Sequence, residues 1–468
     1  MRDENAATGA GAGPLVMKFG GTSVQNAEAI GRLSAIVRGH ATRRPVVVVS
    51  ALSKVTDELS ALARLADGGE VTREMEGRVS ALVDRHGREA DRLARGEALD
   101  RVHAELAAAL REIPLLLEMM AMHPGTRRPL RDELLSWGER LSSHIVAAAL
   151  RTDGLPSRWV DARQCIRTSE EHGRAEPDLD ATRAACRAAL LPAVDAGEVP
   201  VTGGFIGAAA NGATTTLGRG GSDFSATLVG ASLDAAEIQI WTDVSGFMTA
   251  DPRVVGAARS IPRLTYDEAA ELAYFGAKVL HPRTLHPAVE GGIPVRVCNS
   301  MAPDSASTLI DAAGAGPGAA GIKAVAHKNG ITIVRITSAR MLGASGFLRA
   351  IFEAFDRYGI AVDVVATSEV SVSLTVDDTE RLERAVRDLR ALGQVDVEGG
   401  YAIVCVVGEA LRTTPGIAAR VFGAMSRINV ALISQGASGI NLTFAVHEHD
   451  AAPAVRLLHA ECLQPGSN

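Results

Sequence analysis

Two glycine-rich segments, each between an apolar run and a helical pattern, hold the residues best suited to phosphate chemistry. Residues 18–23 read Lys-Phe-Gly-Gly-Thr-Ser, and residues 217–223 read Leu-Gly-Arg-Gly-Gly-Ser-Asp. Backbone N–H groups at a helix N-terminus bind anions, and glycine lets a ligand approach them closely. Lys18 adds a compact positive charge, and Arg219 has the forked guanidinium that grips a carboxylate or a phosphate. The segments predict an anion site, with an ordinary structural turn as the alternative for each.

Several other ionisable side chains lie near predicted element ends, where a structural explanation competes with a functional one. Asp223 opens a predicted helix, so it can bind an ammonium group or a magnesium-bound water, or simply cap the helix. Glu139 lies in an apolar helical stretch, where burial would require a cationic partner and exposure would require none. For Asp243, after a predicted strand, the alternative is turn chemistry. For Lys278, among apolar neighbours, the alternative is a solvated surface position.

No histidine–aspartate pair and no paired carboxylates stand out as a general base. A carboxylate acceptor needs no such base, because a carboxyl group with a pKa of about 3.9 is already ionised at pH 7. The remaining work is positioning and charge neutralisation, which lysine, arginine, backbone N–H groups and Mg²⁺ can supply. The residues therefore predict nucleotide-dependent phosphoryl transfer, and they are compatible with a carboxylate as the acceptor.

The elements that must position these residues follow a strand–helix–strand order typical of a buried parallel sheet. Apolar residues recur at helical spacing over 30–37, and residues 56–150 are predicted mostly helical, broken at Pro114 and at 123–125. Up to about residue 312 the chain reads as one α/β domain. The predicted central strands are residues 15–17, 46–49, 199–201 and 238–241.

A repeat with an offset of 70 residues follows the best linker candidate, residues 312–318. Each copy begins with an apolar strand, passes through a glycine loop into a helix, and ends in alternating residues. Two copies look like paired small βαββαβ modules, and a side-by-side pair would make one sheet with ligand sites between the copies. The matched positions are Gly346 and Gly416, Phe352 and Phe422, Ile360 and Val430, Ser368 and Ser438, and Val376 and Val446.

Composition excludes several classes of protein. The 468 residues include 48 basic and 55 acidic side chains, so the net charge of −7 offers no bulk attraction to nucleic acid or to an anionic membrane. Five scattered cysteines without a CxxC pair indicate reduced thiols. No run approaches 18 apolar residues, and the polar N-terminus lacks a secretory signal. We expect a cytoplasmic protein that binds neither nucleic acid nor membranes.

An ordered set of these segments resembles the aspartate kinases. The resemblance extends from about residue 15 to about residue 450, and the tandem repeat resembles that family's two regulatory ACT domains. It implies an α/β chain with the amino acid kinase fold, a mainly parallel sheet between helices, followed by two tandem βαββαβ ACT domains. The segments are Lys18–Val24 (KFGGTSV), Ser50–Thr56, Gly138-Glu139, Thr216–Asp223 (TLGRGGSD), Trp241–Val244 (WTDV), Asp251–Arg253 and Phe275–Pro282 (FGAKVLHP).

The resemblance implies an enzyme that transfers a phosphoryl group from ATP to L-aspartate, giving 4-phospho-L-aspartate for lysine, threonine and methionine synthesis. Mg²⁺ is expected on the ATP phosphates, without a metal site built by the protein itself. Feedback inhibition through the ACT domains is implied, with lysine as the expected effector and threonine, or both, left open. The resemblance also implies a homodimer or a higher homo-oligomer formed through the ACT domains.

Carried over by motif, the resemblance assigns roles to individual residues. Lys18 and Asp223 are implied to be catalytic, Lys18 by stabilising the transferring phosphoryl group and Asp223 by organising the site. The implied aspartate-binding residues are Ser50, Thr56, Glu139 for the ammonium group and Arg219 for the α-carboxylate. The implied ATP-binding residues are Lys18, Gly20, Gly21, Thr242, Asp243, Met248, Arg253 and Lys278. The implied effector-binding residues are Met341, Gly346, Phe347, Leu348, Val362, Asp363, Ser368 and Glu369.

Two alternative functions stay open. One is a kinase for another small carboxylate or carbamate on the same fold, against which the tandem repeat and Glu139 argue. The other is an amino-acid sensor whose kinase domain has lost activity. The residues that argue against it are the intact Lys18, Arg219, Asp223 and Lys278. The predicted domains are a disordered tail at 1–13, a catalytic domain at 14–312, a linker at 313–322, and ACT domains at 323–398 and 399–468.

Overall fold

The apolar strands predicted from the sequence lie in the middle of an eight-stranded sheet. The computed structural model describes residues 13–276, 279–314, 321–343 and 345–464. Most of the predicted N-terminal tail, most of the predicted linker, and Lys278 lie outside the described residues.

The regular elements of the described residues are numbered here in chain order. The strands are β1 Leu15–Phe19, β2 Pro45–Val49, β3 Ser157–Val160, β4 Arg167–Thr168, β5 Val199–Gly203, β6 Ile206–Ala209, β7 Thr214–Thr216, β8 Glu237–Thr242, β9 Arg263–Leu264, β10 Val295–Asn299, β11 Thr308–Ile310, β12 Gly321–Thr337, β13 Val365–Thr367, β14 Ser371–Val376, β15 Gln394–Glu409, β16 Leu432–Gln435 and β17 Asn441–His447. The α-helices are α1 Ala27–Gly39, α2 Val55–Ala66, α3 Arg73–Leu93, α4 Gly96–Met122, α5 Arg127–Thr152, α6 Ala162–Cys165, α7 Leu179–Asp195, α8 Gly221–Ser232, α9 Tyr266–Tyr274, α10 His286–Glu290, α11 Phe347–Arg357, α12 Leu382–Leu389, α13 Ile417–Ala424 and α14 Glu448–Leu463.

These elements form two compact units, each of which is described by itself. The predicted domain boundaries stay predictions, because the units are not continuous segments of the chain. The first unit takes in residues up to Phe247, residues 262–266 and residues 279–314, and the second takes in residues 248–261, 267–278 and 315 onward.

The first unit is built on a sheet with the strand order β3-β5-β2-β1-β8-β10-β11-β9. Every neighbouring pair is parallel except β10 and β11. All residues of β1 and β2 are buried, as expected for central strands with helices packed against the sheet. The prediction of a mainly parallel sheet is confirmed. Because β1, β2 and β8 run in the same direction, Gly20, Ser50 and Asp243 follow them at one edge.

Pro114 does not break the helical region, so the prediction of a break there is wrong. Helix α4 continues through it. An internal proline removes one N–H donor and crowds the carbonyl four residues earlier, at a cost of about 3 kcal/mol. That carbonyl belongs to Leu110, an exposed residue, while Ile113 and Leu117 on the other face are completely buried. Burial of this apolar face outweighs the local cost of the proline.

A small sheet with the order β4-β6-β7 leads into the second glycine loop. Strand β7 ends at Thr216, directly before Leu217, and the Leu217 N–H donates to the Phe205 carbonyl at 3.0 Å. The Thr168 and Thr215 hydroxyls lie 2.7 Å apart and join the first and last strands of this sheet's region. The second glycine loop therefore begins at a residue that a backbone hydrogen bond holds in place.

Gly246 is a position of the first unit where the backbone requires glycine. Its φ is +88°, and a Cβ atom there would lie 2.2 Å from Thr308 Oγ1. We expect Gly246→Ala to lower the free energy of unfolding by about 3 to 5 kcal/mol, because the left-handed strain and the clash add. Thermal unfolding of the full chain measures the loss.

The matched control for this change is Gly212→Ala. Gly212 also has a left-handed φ of +84°, but nothing lies within 4 Å of a Cβ atom placed there. Only the backbone strain of about 1 kcal/mol is then expected. Equal losses of stability in the two variants would show that the Thr308 contact does not matter.

The second unit contains one antiparallel sheet that both repeats share. The strand order is β13-β14-β12-β15-β17-β16, and every neighbouring pair is antiparallel. The long strands β12 and β15 pair along their whole length, from Gly321 opposite Glu409 to Thr337 opposite Gln394. The prediction that two copies make a single sheet is confirmed.

The repeat is visible in the backbone as well as in the sequence. Gly346 and Gly416 each precede a helix, with φ of +83° and +84°. Separate apolar cores lie in the two halves, one around Val334 and Phe355 and the other around Val404. The position matched to Asp363 is Ile433, so the two copies differ in the charge that they can offer a ligand.

All five cysteines lie in the described residues and are unpaired. Burial raises the pKa of the Cys298 thiol to about 12 and also raises the pKa of the Cys405 thiol. These thiols therefore stay protonated and unreactive at neutral pH. Within the part of the chain that the structure describes, no helix is both long and apolar enough to cross a membrane.

Candidate active site

The ends of β1, β2 and β8 open into a cleft of the first unit with a volume of about 860 Å³. This volume suits a nucleotide together with a small substrate, since ligand pockets usually measure about 300 to 1,000 Å³. The cleft brings together most of the residues predicted for catalysis, aspartate binding and phosphate binding. Those that line it are Lys18, Gly20, Gly21, Ser50, Thr56, Glu139, Arg219, Asp223, Thr242 and Asp243.

The central charges of the cleft are Lys18 and Asp223. Lys18 lies in β1 with a side chain that is 9% exposed, and its Nζ is 2.5 Å from Oδ1 of Asp223 in the first turn of α8. Each charge offsets the cost of keeping the other away from bulk water. A phosphoryl group that reaches this lysine would share the ammonium with Asp223, so the aspartate fixes where the positive charge lies.

Both glycine loops line the cleft. The Gly20 N–H donates to the Trp241 carbonyl at 3.0 Å and ties the first loop to β8. Gly218 and Gly220 have φ of +76° and +72°, a backbone that favours glycine. Gly220 is also the N-cap of α8, and it has no side chain that could accept a hydrogen bond from the first turn of this helix. An open helix N-terminus beside a lysine is suited to phosphate.

Glu139 lies on α5 and is 3% exposed. Burial raises the pKa of its carboxyl group to about 8, against the opposing effects of the Ala51 N–H donor and the positive Lys18. Its Oε2 atom has no hydrogen-bond partner among the described residues. The sequence left open whether Glu139 is buried or exposed, and the structure shows that it is buried. A buried carboxyl group with a free acceptor in a cleft suits an ammonium ligand.

The remaining predicted aspartate-binding residues border the same cleft. The Ser50 N–H donates to the Phe19 carbonyl at 3.0 Å, which holds this residue at the end of β2. Thr56 lies in the first turn of α2, and Arg219 is exposed between the two left-handed glycines. The serine and threonine are fixed by the backbone, whereas the arginine is free to fold over a ligand.

Sequence reasoning missed Lys54, which also lines the cleft. It has a left-handed φ of +70° directly before α2, which is uncommon for a residue with a side chain. Strained positions of this kind cluster at functional sites. Lys54 lies inside the segment 50–56 that resembles the aspartate kinases, and this position was the signal in the sequence that could have identified it.

The predicted ATP-binding residues are only partly brought together. Thr242 and Asp243 line the cleft at the end of β8, where the Thr242 hydroxyl donates to Asp243 Oδ1 at 3.2 Å. Met248 and Arg253 belong to the second unit, where Arg253 forms a 2.6 Å ion pair with Asp251. Lys278 lies outside the described residues.

Carboxylates are sparse in the cleft. Across the ranges that the structure describes, no group of three or more His, Cys, Asp or Glu side chains is arranged to hold a metal ion. The carboxylates that line the cleft are Asp57, Glu139, Asp223 and Asp243, and Asp223 is already paired with Lys18. A Mg²⁺ ion entering with a nucleotide would take most of its oxygen ligands from phosphate and water.

The predicted effector residues lie in the second unit, next to α11 and the β13–β14 hairpin. Apart from Asp363, they are partly or largely exposed. Ser368 and Glu369 form the turn of the hairpin, where the Ser368 and Ser371 hydroxyls lie 2.7 Å apart. The residues concerned are Met341, Gly346, Phe347, Leu348, Val362, Asp363, Ser368 and Glu369.

Asp363 is already paired inside the second unit. Its side chain is 1% exposed, the Lys328 Nζ lies 3.4 Å from Oδ1, and the Tyr274 hydroxyl donates to the same oxygen. The Oδ2 atom has no hydrogen-bond partner in the described ranges. Lys328 also lies 2.7 Å from Asp377 Oδ2. The ammonium group of a bound effector would therefore either share Asp363 with the Lys328 ammonium group or displace it.

Comparison with protein families agrees with this architecture. The model of the amino acid kinase family matches residues 13–299, and the ACT domain model matches residues 334–391 and 404–462. Fold and cleft thus define the class: an amino acid kinase domain followed by tandem ACT domains.

Individual relatives narrow this class. Lysine-sensitive aspartokinase 3 of Escherichia coli is 39% identical over 458 residues, which cover 96% of this chain and 99% of the relative. The structure of E. coli aspartokinase III with aspartate and ADP, in the R-state, is 38% identical, has a TM-score of 0.84 and covers 96% of this chain and 99% of that chain. The T-state structure with lysine and aspartate is 39% identical, has a TM-score of 0.80 and covers 96% and 100%. The chain belongs to the aspartokinases.

Proposed function

We propose that this protein is an aspartate kinase that transfers the γ-phosphoryl group of ATP to the side-chain carboxylate of L-aspartate, giving 4-phospho-L-aspartate and ADP. The observation that carries the proposal is the meeting of Lys18, Asp223, Arg219 and the buried Glu139 in one cleft. The structure of E. coli aspartokinase III with aspartate and ADP supports it. The product is the activated acid for lysine, threonine and methionine synthesis.

The substrate is oriented by its two α-substituents. Glu139 holds the α-ammonium group, and Arg219 folds over the α-carboxylate from the rim of the cleft. Ser50 directly after β2 and Thr56 in the first turn of α2 line the space left for the side chain. This arrangement directs the side-chain carboxylate toward Lys18. Fixing the nucleophile in this way replaces a bimolecular encounter with an oriented one.

The transfer step consists of charge neutralisation. The side-chain carboxylate is ionised at pH 7, so its oxygen attacks without a general base. Lys18 neutralises charge on the transferring group, the N–H groups at the start of α8 face the phosphates, and Asp223 holds Lys18 in place. Thr242 and Asp243 bind the nucleotide. Mg²⁺, bound through the ATP phosphates, supplies further charge neutralisation.

Trapping of the product tests this function. An acyl phosphate reacts with hydroxylamine to give a hydroxamate, so we expect hydroxamate that depends on ATP, Mg²⁺ and aspartate. A panel of other small carboxylates and carbamate tests the neighbouring substrate classes. If the protein does not turn over aspartate but calorimetry shows that it binds lysine, it is an amino-acid sensor and not an active kinase.

We further propose that lysine inhibits the enzyme by binding at the Asp363 segment. The lysine complex of the E. coli relative supports lysine as the effector, and the N–H groups at the start of α11 suit its carboxylate. We expect Asp363→Ala to raise the lysine concentration for half-inhibition at least about tenfold, because a buried carboxylate contact is lost. Uninhibited turnover should stay within about twofold, and a lysine titration of turnover measures both.

The control for this effector prediction is Glu353→Ala. Glu353 lies on α11 of the same unit, is exposed, and pairs with Arg349 at 3.1 Å. It should leave lysine inhibition unchanged. If Asp363→Ala loses turnover and lysine inhibition to the same extent, the catalytic and effector sites are not separate. If threonine inhibits the wild-type enzyme and lysine does not, the effector is threonine.

We also propose a homodimer formed through the second unit. Large apolar side chains of this unit that are at least 40% exposed are compatible with a partner surface. These residues are Tyr274, Leu342, Leu348, Phe352, Val370, Val397, Ile433 and Leu457. Light scattering coupled to size exclusion should give twice the chain mass. A monomer at micromolar concentration would contradict the proposal.

A further inference from the structure

Asp132 is a buried carboxylate of the first unit to which neither the motifs nor the mechanism above assigns a role. Its side chain is 1% exposed and accepts hydrogen bonds from four donors among the described residues. Oδ2 accepts from the Gly173 N–H at 3.0 Å, the Thr216 N–H at 3.2 Å and His172 Nδ1 at 2.9 Å. Oδ1 accepts from the Thr216 hydroxyl at 2.7 Å. Both oxygens therefore accept hydrogen bonds inside the protein.

These hydrogen bonds join three segments that are distant in sequence. Asp132 lies near the start of α5, Thr216 ends β7, and His172 and Gly173 lie in the loop before α7. A further hydrogen bond, from the Ala175 N–H to the Thr216 carbonyl at 2.9 Å, reinforces the junction. Removing one charge-assisted donor from such a junction loosens all three segments together.

The junction is close in sequence to both groups proposed to hold the substrate. Seven residues separate Asp132 from Glu139, about two helical turns, so both lie on one face of α5 with Leu135, which lines the cleft. On the other side, only three residues separate Thr216 from Arg219. The hydrogen bonds of Asp132 therefore connect the helix that carries the ammonium-binding group to the strand that leads to the carboxylate-binding group.

We infer that Asp132 is a positioning residue that sets the spacing between Glu139 and Arg219 and thereby tunes the site to the α-ammonium and α-carboxylate of an amino acid. A shift of about 1 Å in this spacing weakens binding of a small, rigid pair of charges. Thr242 and Asp243, which are proposed to bind the nucleotide, lie at the end of β8 and outside the junction. The inference rests on the proposed function. It predicts that loosening the junction changes the aspartate KM and leaves the ATP KM unchanged.

The sharpest test removes one donor without changing shape. Thr216→Val keeps the branched side chain and the backbone N–H but lacks the hydroxyl that binds Oδ1. We expect the aspartate KM to rise about tenfold, with kcat and the ATP KM within about twofold of the wild type. Thr216→Ser restores the hydroxyl and should return the aspartate KM to nearly the original value. Asp132→Asn should raise it further, because the amide replaces an acceptor with a donor.

A matched control separates positioning from stability. Asp311 is also a shielded carboxylate of the first unit, accepting from the Ala313 and Gly314 N–H groups and pairing with Arg263. Asp311→Asn should lower the unfolding temperature without moving the aspartate KM.

An unchanged aspartate KM in Thr216→Val overturns the inference, and so does a fall in kcat that Asp311→Asn reproduces. If Asp132→Asn does not fold, the comparison of Thr216→Val with Thr216→Ser still tests the inference. Absence of aspartate kinase activity in the wild-type protein would instead be a failure of the proposed function, so the two failures are distinguishable.

Discussion

Replacing Lys18 with methionine is expected to lower kcat by about 10²- to 10³-fold while the protein remains folded. Methionine has a similar length and keeps the apolar part of the contact in β1, but it removes the one ammonium group that lies 2.5 Å from Asp223. Steady-state hydroxamate formation at saturating ATP and aspartate measures the loss. Far-ultraviolet circular dichroism checks that the sheet is intact.

The size of this effect follows from the nature of the transfer. Phosphoryl transfer to an ionised carboxylate brings two anions together, so the protein contributes through positive charge and oriented donors. A lysine that is 9% exposed has a stronger effect than one in water, because the surrounding protein screens its charge less. Its loss also leaves the Asp223 carboxylate uncompensated and repulsive toward the incoming phosphate.

Lys54 provides the matched control, since it is a second lysine that lines the same cleft but is exposed. We expect Lys54→Met to reduce kcat by less than about tenfold, because water screens an exposed charge. Lys18→Arg should recover only part of the rate, since a planar guanidinium does not replace a compact ammonium group. Equal losses in Lys18→Met and Lys54→Met would mean that the cleft needs positive charge in general.

The sequence predicts those parts of the protein that local patterns encode. The valine run of β2 correctly predicts a parallel sheet, and the repeat offset of 70 residues correctly predicts that the two copies share one sheet. Pro114 misled the helix prediction because burial of Ile113 and Leu117 outweighs a local penalty, and burial depends on the tertiary fold. Patterns of a few residues carry no information about that burial.

Contacts between distant residues could not be predicted from one sequence. The partners Asp132 and Thr216 are 84 residues apart, and neither has a local pattern that indicates the other. The pairing of Asp363 with Lys328 likewise joins residues 35 apart and occupies a carboxylate that chemistry alone would leave open for an effector. Motifs identify the residue types of a site, whereas the fold decides which of their charges are already neutralised.

The burial of Glu139 makes its replacement the most informative change at the substrate site. Glu139→Gln keeps the size of the side chain and removes the charge, so we expect the aspartate KM to rise about a hundredfold with the ATP KM unchanged. Isothermal calorimetry and steady-state kinetics at varied aspartate measure the change. Glu133→Gln is the control, because Glu133 lies on the same helix, forms ion pairs with Arg140 and Arg163, and does not line the cleft.

The raised pKa of Glu139 fixes the sign of two pH dependences. Aspartate binding needs the ionised carboxylate, so kcat/KM for aspartate should increase as the pH rises toward about 8 and then level off. The unfolded chain releases this proton near the ordinary pKa of 4.5, whereas the folded protein keeps it until about 8. The contribution of Glu139 to stability is therefore complete below pH 4.5 and is lost as the pH rises through about 8.

Glu139→Gln should accordingly become more stable than the wild type at alkaline pH while it loses affinity for aspartate. The gain at pH 8 is expected to be on the order of a few kcal/mol, because glutamine has no charge to keep from water. Thermal unfolding at pH 5 and at pH 8, compared between the two proteins, measures it, and the pH dependence of kcat/KM should flatten in the variant. A variant that is less stable at both pH values would mean that the carboxylate is already compensated inside the protein. The ammonium group of aspartate would then not be its missing partner.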